Sequence, residues 1–122
     1  TPDVQRLLDC TSGVLALAIR LMASRSRWSD VATEMATFVR DRGFSVVENF
    51  VGHGIGRKMH EDPQVPNYCS PAFRRNYDFD LEPGLVIAVR RPAACTVRAR
   101  SAAEMPVVTP SAASIETVKL VP

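Results

Sequence analysis

Apolar residues recur at intervals of three and four over the first part of the chain: Val4, Leu7, Leu8, then Val14, Leu15, Ala18, Ile19 and Met22. That spacing lines one face of a helix and predicts an amphipathic helix over roughly Pro2 to Ala23, weakened slightly by Gly13. A polar break, Ser24 to Arg27, precedes a second apolar face made of Val31, Met35, Phe38 and Val39. Ser29 or Asp30 is placed to cap this second helix and Gly43 to end it. The pattern then changes. FSVVENFV, residues 44–51, is short, β-branched and aromatic, and predicts a strand. LVIAV, Leu85 to Val89, follows Pro83 and Gly84 and predicts a buried strand. MPVV with Thr109, and IETVKLV near the carboxyl end, predict two more. The order is helix, helix, strand, a loop with the histidines, then three strands, which is an α+β arrangement rather than an alternating one. The two helices read as packing elements, so chemistry has to be sought elsewhere.

With 122 residues the chain is read as one domain, residues 1–122, with a core of modest size. Hydrophobic residues make up 46% and charged residues 23%, ordinary globular usage that argues against disorder or a fibrous class. The formal net charge of +2 is too small an excess to argue for nucleic acid. Arg74 and Arg75, and the set Arg90, Arg91, Arg98 and Arg100, read as solvated surface. No apolar run approaches the ~18 residues of a membrane span, and the amino terminus lacks the cationic and apolar regions of a signal peptide, so the expected location is the cytoplasm. Cys10, Cys69 and Cys95 form no CxxC pair and are odd in number, which fits unbridged thiols in a reducing compartment. Cys69 is a weak candidate ligand because it follows the histidine segment.

VENFVGHGIGRKMHEDPQVPNY, residues 47–68, holds both histidines of the chain, His53 and His60, among three glycines. The glycines at 52, 54 and 56 do not match the dinucleotide pattern GxGxxG, whose third glycine falls where Arg57 stands. Glycine on both sides of His53 permits close approach of backbone or ligand, which predicts an accessible ring. An odd separation of seven positions points the two side chains to opposite faces of a flat strand, so only a bend or bulge brings them to one site. Glu61, Asp62 and Pro63 then make a polar turn. Neutral imidazole is a common ligand for Zn, Mn, Fe or Co, and a second histidine nearby can polarise a carbonyl. Spacing alone leaves structural, hydrogen-bonded histidines as the alternative.

GHGIGRKMHEDPQVPNY resembles the signature segment of type I methionine aminopeptidases, and EPGLVIAV resembles the strand that follows it in that family. RLLDCTSGVLALAI and DVATEMATFVRDRGFSVVENF resemble the two helices and the strand before it, so the likeness runs from about Val4 to Val89. The resemblance implies a pita-bread (creatinase/aminopeptidase-like) fold, of which this chain is the second half, and membership of peptidase family M24. It implies a hydrolase that removes the amino-terminal methionine of nascent polypeptides at two divalent metal ions (Mn, Co, Fe or Zn), with the ribosome as a partner. In that family His53 falls on a metal ligand and His60 on the catalytic histidine that contacts the substrate amide. Met59 falls on a position lining the methionine pocket.

Several family positions are filled differently. The two ligand aspartates belong to a strand ahead of the first helix recognised here. The glutamate closing the LVIAV strand is replaced by Arg90, followed by Arg91. A unit charge about 4 Å from another interacts by about 4 kcal/mol at an effective dielectric of about 20, and by about twice that for a dication, so arginine there opposes a metal. The last ligand glutamate is matched by Glu116, followed by Thr117 without the family's intervening histidine. Residues 90–105 form an anomalous segment dominated by Ala and Arg, which reads as a pair of compensating frameshifts or as genuine divergence. The alternatives to an aminopeptidase are a noncatalytic pita-bread peptide-binding module, a degenerate remnant, or an Xaa-Pro peptidase.

Overall fold

The computed structural model describes residues 2–46, 48, 51–90, 96–97 and 115–119. The first helix, α1 (Pro2–Met22), buries Leu7, Cys10, Val14, Leu15, Ala18 and Met22, the face set by the three- and four-residue spacing. The second, α2 (Trp28–Asp41), buries Trp28, Val31, Ala32, Met35 and Val39. The helices pack on each other, and Gly13 has a use there: a Cβ at this position would lie 2.9 Å from the Phe38 ring. Its poor helix propensity is traded for closeness of the two helices.

The start of α2 differs from the predicted cap. The helix begins at Trp28, one residue ahead of Ser29, and the flanking Arg27 makes no side-chain cap. The orphan amide is met from far along the chain, where the Asp78 carboxylate accepts from the Ser29 amide at 3.0 Å. Asp78 also accepts from the Phe79 amide at 2.9 Å and pairs with Arg27 at 3.2 Å. A carboxylate at a helix amino end is favoured by the exposed N–H groups and the helix dipole, wherever in the sequence it originates. The other end follows expectation: Gly43 has φ +82°, and its amide donates to the Arg40 carbonyl.

The expected strand at 44–51 is shorter, β1 (Phe44–Ser45), while residues 47, 49 and 50 lie outside the described set. The histidine segment is a correction in the other direction, because it contributes two strands rather than a loop. These are β2 (Gly52–Gly54) and β3 (Glu61–Val65). A short helix, α3 (Pro71–Asn76), was not anticipated. Ser70 accepts from the Phe73 amide at 3.0 Å and Pro71 fills the first position, a start signal that the Ser-Pro pair carried openly. Arg74 on α3 pairs with Asp30 on α2 at 3.5 Å, and the Cys69 sulfur first and Asp30 second raise its pKa above the ordinary arginine value.

The strand expected at 85–89 is β4 (Val86–Arg90), and the last is β6 (Ile115–Lys119), with β5 (Thr96–Val97) between them. An antiparallel four-stranded sheet runs in the order β3, β2, β4, β6, and β1 pairs with β5. The strand expected at MPVV lies outside the described residues. Helices and sheet share one core: Trp28 is fully buried with Val65, Ile87 and Val89, and its indole N–H donates to the Pro66 carbonyl at 2.8 Å. Cys10 and Cys69 carry no disulfide, and Cys95 lies outside the described residues.

Candidate active-site cleft

His53 is the middle residue of β2, which is hydrogen-bonded on both sides, to β3 through Gln64 and to β4 through Ala88. Its glycine neighbours are dictated by that crowding. A Cβ on Gly52 would run into the Ala88 carbonyl oxygen, and one on Gly54 into the Asp62 carbonyl oxygen. The third glycine, Gly56, lies against the Glu61 carboxylate. The pairing of β2 with β3 slips between His53 and Gly54, from Gln64 to Glu61. This bulge supplies the bend that the odd spacing required. The rings of His53 and His60 meet at 4.1 Å between centroids, tilted by 35°.

His53 is half-buried rather than accessible. Its Nδ1 lies 3.0 Å from the Gly54 carbonyl oxygen, and a carbonyl only accepts, so Nδ1 carries a proton and, in the neutral tautomer that this contact selects, the lone pair is on Nε2. Nε2 is buried and has no hydrogen-bond partner among the described residues. His60 is exposed on the far side of the turn, and the Met59 side chain beside it is 74% exposed. Together with Ile55, Arg57, Lys58 and Ala88 they line an open cleft of about 430 Å³. Arg57 and Lys58 were not singled out from the sequence, where the only signal was their position between the last glycine and His60. Cys69 is absent from the lining and packs against the core, donating to the Ser70 carbonyl at 3.6 Å.

The remaining sequence candidates fall differently. Arg90 is the last residue of β4, two beyond Ala88 and therefore on the same sheet face. In β6, Ile115 stands opposite Arg90, Glu116 opposite Val89 and Thr117 opposite Ala88. Since Ala88 is the partner of His53, the cross-strand row of His53 passes through Thr117, and Glu116 belongs to the neighbouring row.

His53 suits a metal ion as a single donor, with a lone pair on Nε2 and a carbonyl fixing the other nitrogen. Among the described residues, no three His, Cys, Asp or Glu side chains gather into a set that could hold an ion. Three or four protein ligands are the usual requirement. With the neighbouring imidazole of His60, whose ring lies 4.1 Å away and tilted by 35°, the described donors number two. The described residues fall short of a two-ion centre.

The site is thus a helix pair laid on an antiparallel sheet, with a glycine-flanked histidine in its central strands and a second histidine folded back beside it. Residues 1–116 match metallopeptidase family M24, and the chain belongs to that family. It is 37% identical over 87 residues to methionine aminopeptidase 1 of Bacillus subtilis, covering 71% of this chain and 34% of that protein. Among solved structures, methionine aminopeptidase from Rickettsia prowazekii superposes with a TM-score of 0.72 at 20% identity, covering 99% of this chain and 50% of that one. The Thermotoga maritima methionine aminopeptidase superposes at 0.60 with 35% identity, covering 70% and 33%. The pita-bread fold is thus shared, and the chain spans about a third of the length of the curated relatives it matches.

Proposed function

We propose that these residues are the histidine-bearing part of a methionine aminopeptidase, a hydrolase that removes the amino-terminal methionine from nascent polypeptides in the cytoplasm, near the ribosome. In this reading His53 is one ligand of a divalent ion (Mn, Co, Fe or Zn), and the other ligands come from residues outside the described set. His60 contacts the amide of the scissile bond, and Met59 borders the space for the methionine side chain. A donor at the reacting amide acts by stabilising charge that develops in the transition state. The observation that carries the reading is the meeting of His53 and His60 at 4.1 Å across the β2–β3 bulge, beside an exposed Met59.

The test is methionine release from a Met-Ala-Ser peptide, followed by chromatography, with each of the four metals and with chelator. Release that needs metal and disappears in His53→Ala supports the reading. No release with any metal, or equal release with chelator, sinks it. An Xaa-Pro peptidase would prefer peptides with proline second.

A second reading, a noncatalytic peptide-binding module, is favoured by Arg90, a cation on the sheet face that carries Ala88 and His53. Peptide binding unaffected by chelator separates it from the first.

A further inference from the structure

His60 reaches His53 on a loop, residues 55–60, that joins β2 to β3. Its first residue is still tied to the sheet, because the Ile55 amide donates to the Val86 carbonyl at 2.9 Å. The rest has less to hold it. Residues 56–60 are all exposed, so none of them is anchored in the core. Inside the loop the Gly56 amide donates to the Lys58 carbonyl at 3.1 Å. A segment with exposed side chains and few buried contacts opens at little cost, and its preferred shape is set by the local contacts it makes. The approach of the two imidazoles to 4.1 Å needs such a contact.

Glu61, the first residue of β3 and the partner of Gly54, supplies it. Its side chain turns back over the loop. Oε2 accepts from the Lys58 amide at 3.4 Å, and Oε1 occupies the place where a Cβ on Gly56 would stand. Gly56 is not in the left-handed region, so the demand on it is one of space: a side chain there would expel the carboxylate. The turn is thereby held at Gly56 and at Lys58 by the residue that follows His60. Both contacts are to the main chain, so they do not depend on the side chains at 57 and 58.

We propose that Glu61 is a positioning residue for His60: its carboxylate, seated against Gly56 and on the Lys58 amide, fixes the loop that brings the His60 ring beside His53. The inference rests on the aminopeptidase reading for what His60 does, and adds what holds it there. Glu61 touches no substrate in this scheme and acts through His60. When only a fraction of the molecules holds His60 in place, activity is reduced to that fraction.

Proton NMR of the full chain without metal reads the pairing directly, through the nuclear Overhauser effect between the His53 and His60 rings. A hydrogen bond to a carboxylate at an exposed site should shift the loop equilibrium about fivefold, so the cross-peak should fall about fivefold in Glu61→Ala, with circular dichroism unchanged. Glu61→Gln keeps the size and an acceptor oxygen and should keep the cross-peak. Gly56→Ala should lose it as Glu61→Ala does. The double variant should lose no more than either single one, because both remove the same contact. Arg57→Ala with Lys58→Ala should keep it. In the Met-Ala-Ser assay, Glu61→Ala should lower kcat/KM by about fivefold and Glu61→Gln by less than about twofold. A full cross-peak in Glu61→Ala overturns the inference, as do an equal loss in Glu61→Gln and losses that multiply in the double variant. Absence of methionine release from the unaltered chain sinks the aminopeptidase reading alone, and the cross-peak still decides whether Glu61 holds His60.

Discussion

The helical layer and the histidine segment of this chain are built on opposite terms. In α1 and α2 each buried side chain follows from a neighbour three or four positions away, so the face forms as soon as the helix does. Around His53 the partners are distant in sequence: Gln64 and Ala88 flank it, and Gly52 stands against the Ala88 carbonyl. Packing in the first region tolerates a change of apolar side chain if volume is kept. Backbone against backbone in the second tolerates no side chain at all. The lesson is that the site is held by main-chain crowding and register, whereas the scaffold is held by side-chain burial.

The largest effect should come where the two regions meet. Trp28→Ala empties a fully buried position between helix and sheet and removes the donor to the Pro66 carbonyl. A loss of about 3–5 kcal/mol is expected, read by urea unfolding followed by circular dichroism. A loss below about 1 kcal/mol would mean that the helical layer does not depend on the sheet.

Gly52→Ala sharpens the contrast, because its methyl meets a carbonyl oxygen and not a movable side chain. The expected cost is about 1–3 kcal/mol or more, with helical circular dichroism kept while the His53 and His60 imidazole resonances move apart in NMR spectra. Unchanged imidazole resonances would show that crowding at Gly52 does not set the pair. Asp78→Ala removes the long-range cap of α2 and the Arg27 pairing, and about 1–2 kcal/mol should be lost. Retained amide protection at Ser29 in hydrogen exchange would reject the cap.

Gly43→Ala is a smaller change of a different kind. Nothing lies within 4 Å of the added methyl, so the cost is that of φ +82° alone, about 1 kcal/mol by thermal unfolding. His60→Ala should change stability by less than about 0.5 kcal/mol, since the residue is exposed, while weakening peptide binding or hydrolysis. Equal losses in stability and in function would make His60 a structural residue.

Much of the scaffold was legible in the sequence. The three- and four-residue spacing located α1 to within a residue and the far end of α2, and Gly43 stopped the latter as a left-handed glycine should. LVIAV located β4 because a short β-branched run after Pro-Gly has few other uses. The histidine segment was legible as chemistry and misread as structure, since strands of three and five residues broken by a bulge leave no alternation to detect. Ser70 and Pro71 announced α3, but its six residues carry too little periodicity to stand out.

What the sequence determined by itself was whatever depends on residues a turn apart: two amphipathic helices, their glycine stop, and the presence of both imidazoles in one glycine-rich segment. Tertiary structure decided the rest. It supplied Asp78 as the cap of a helix 49 positions away, brought His53 and His60 to 4.1 Å through a slipped pairing, and put Thr117 rather than Glu116 in the row of His53. The reason is that strand register is a relation between segments, in which a slip of one residue exchanges the two faces, and no local pattern records which relation the folded chain will take.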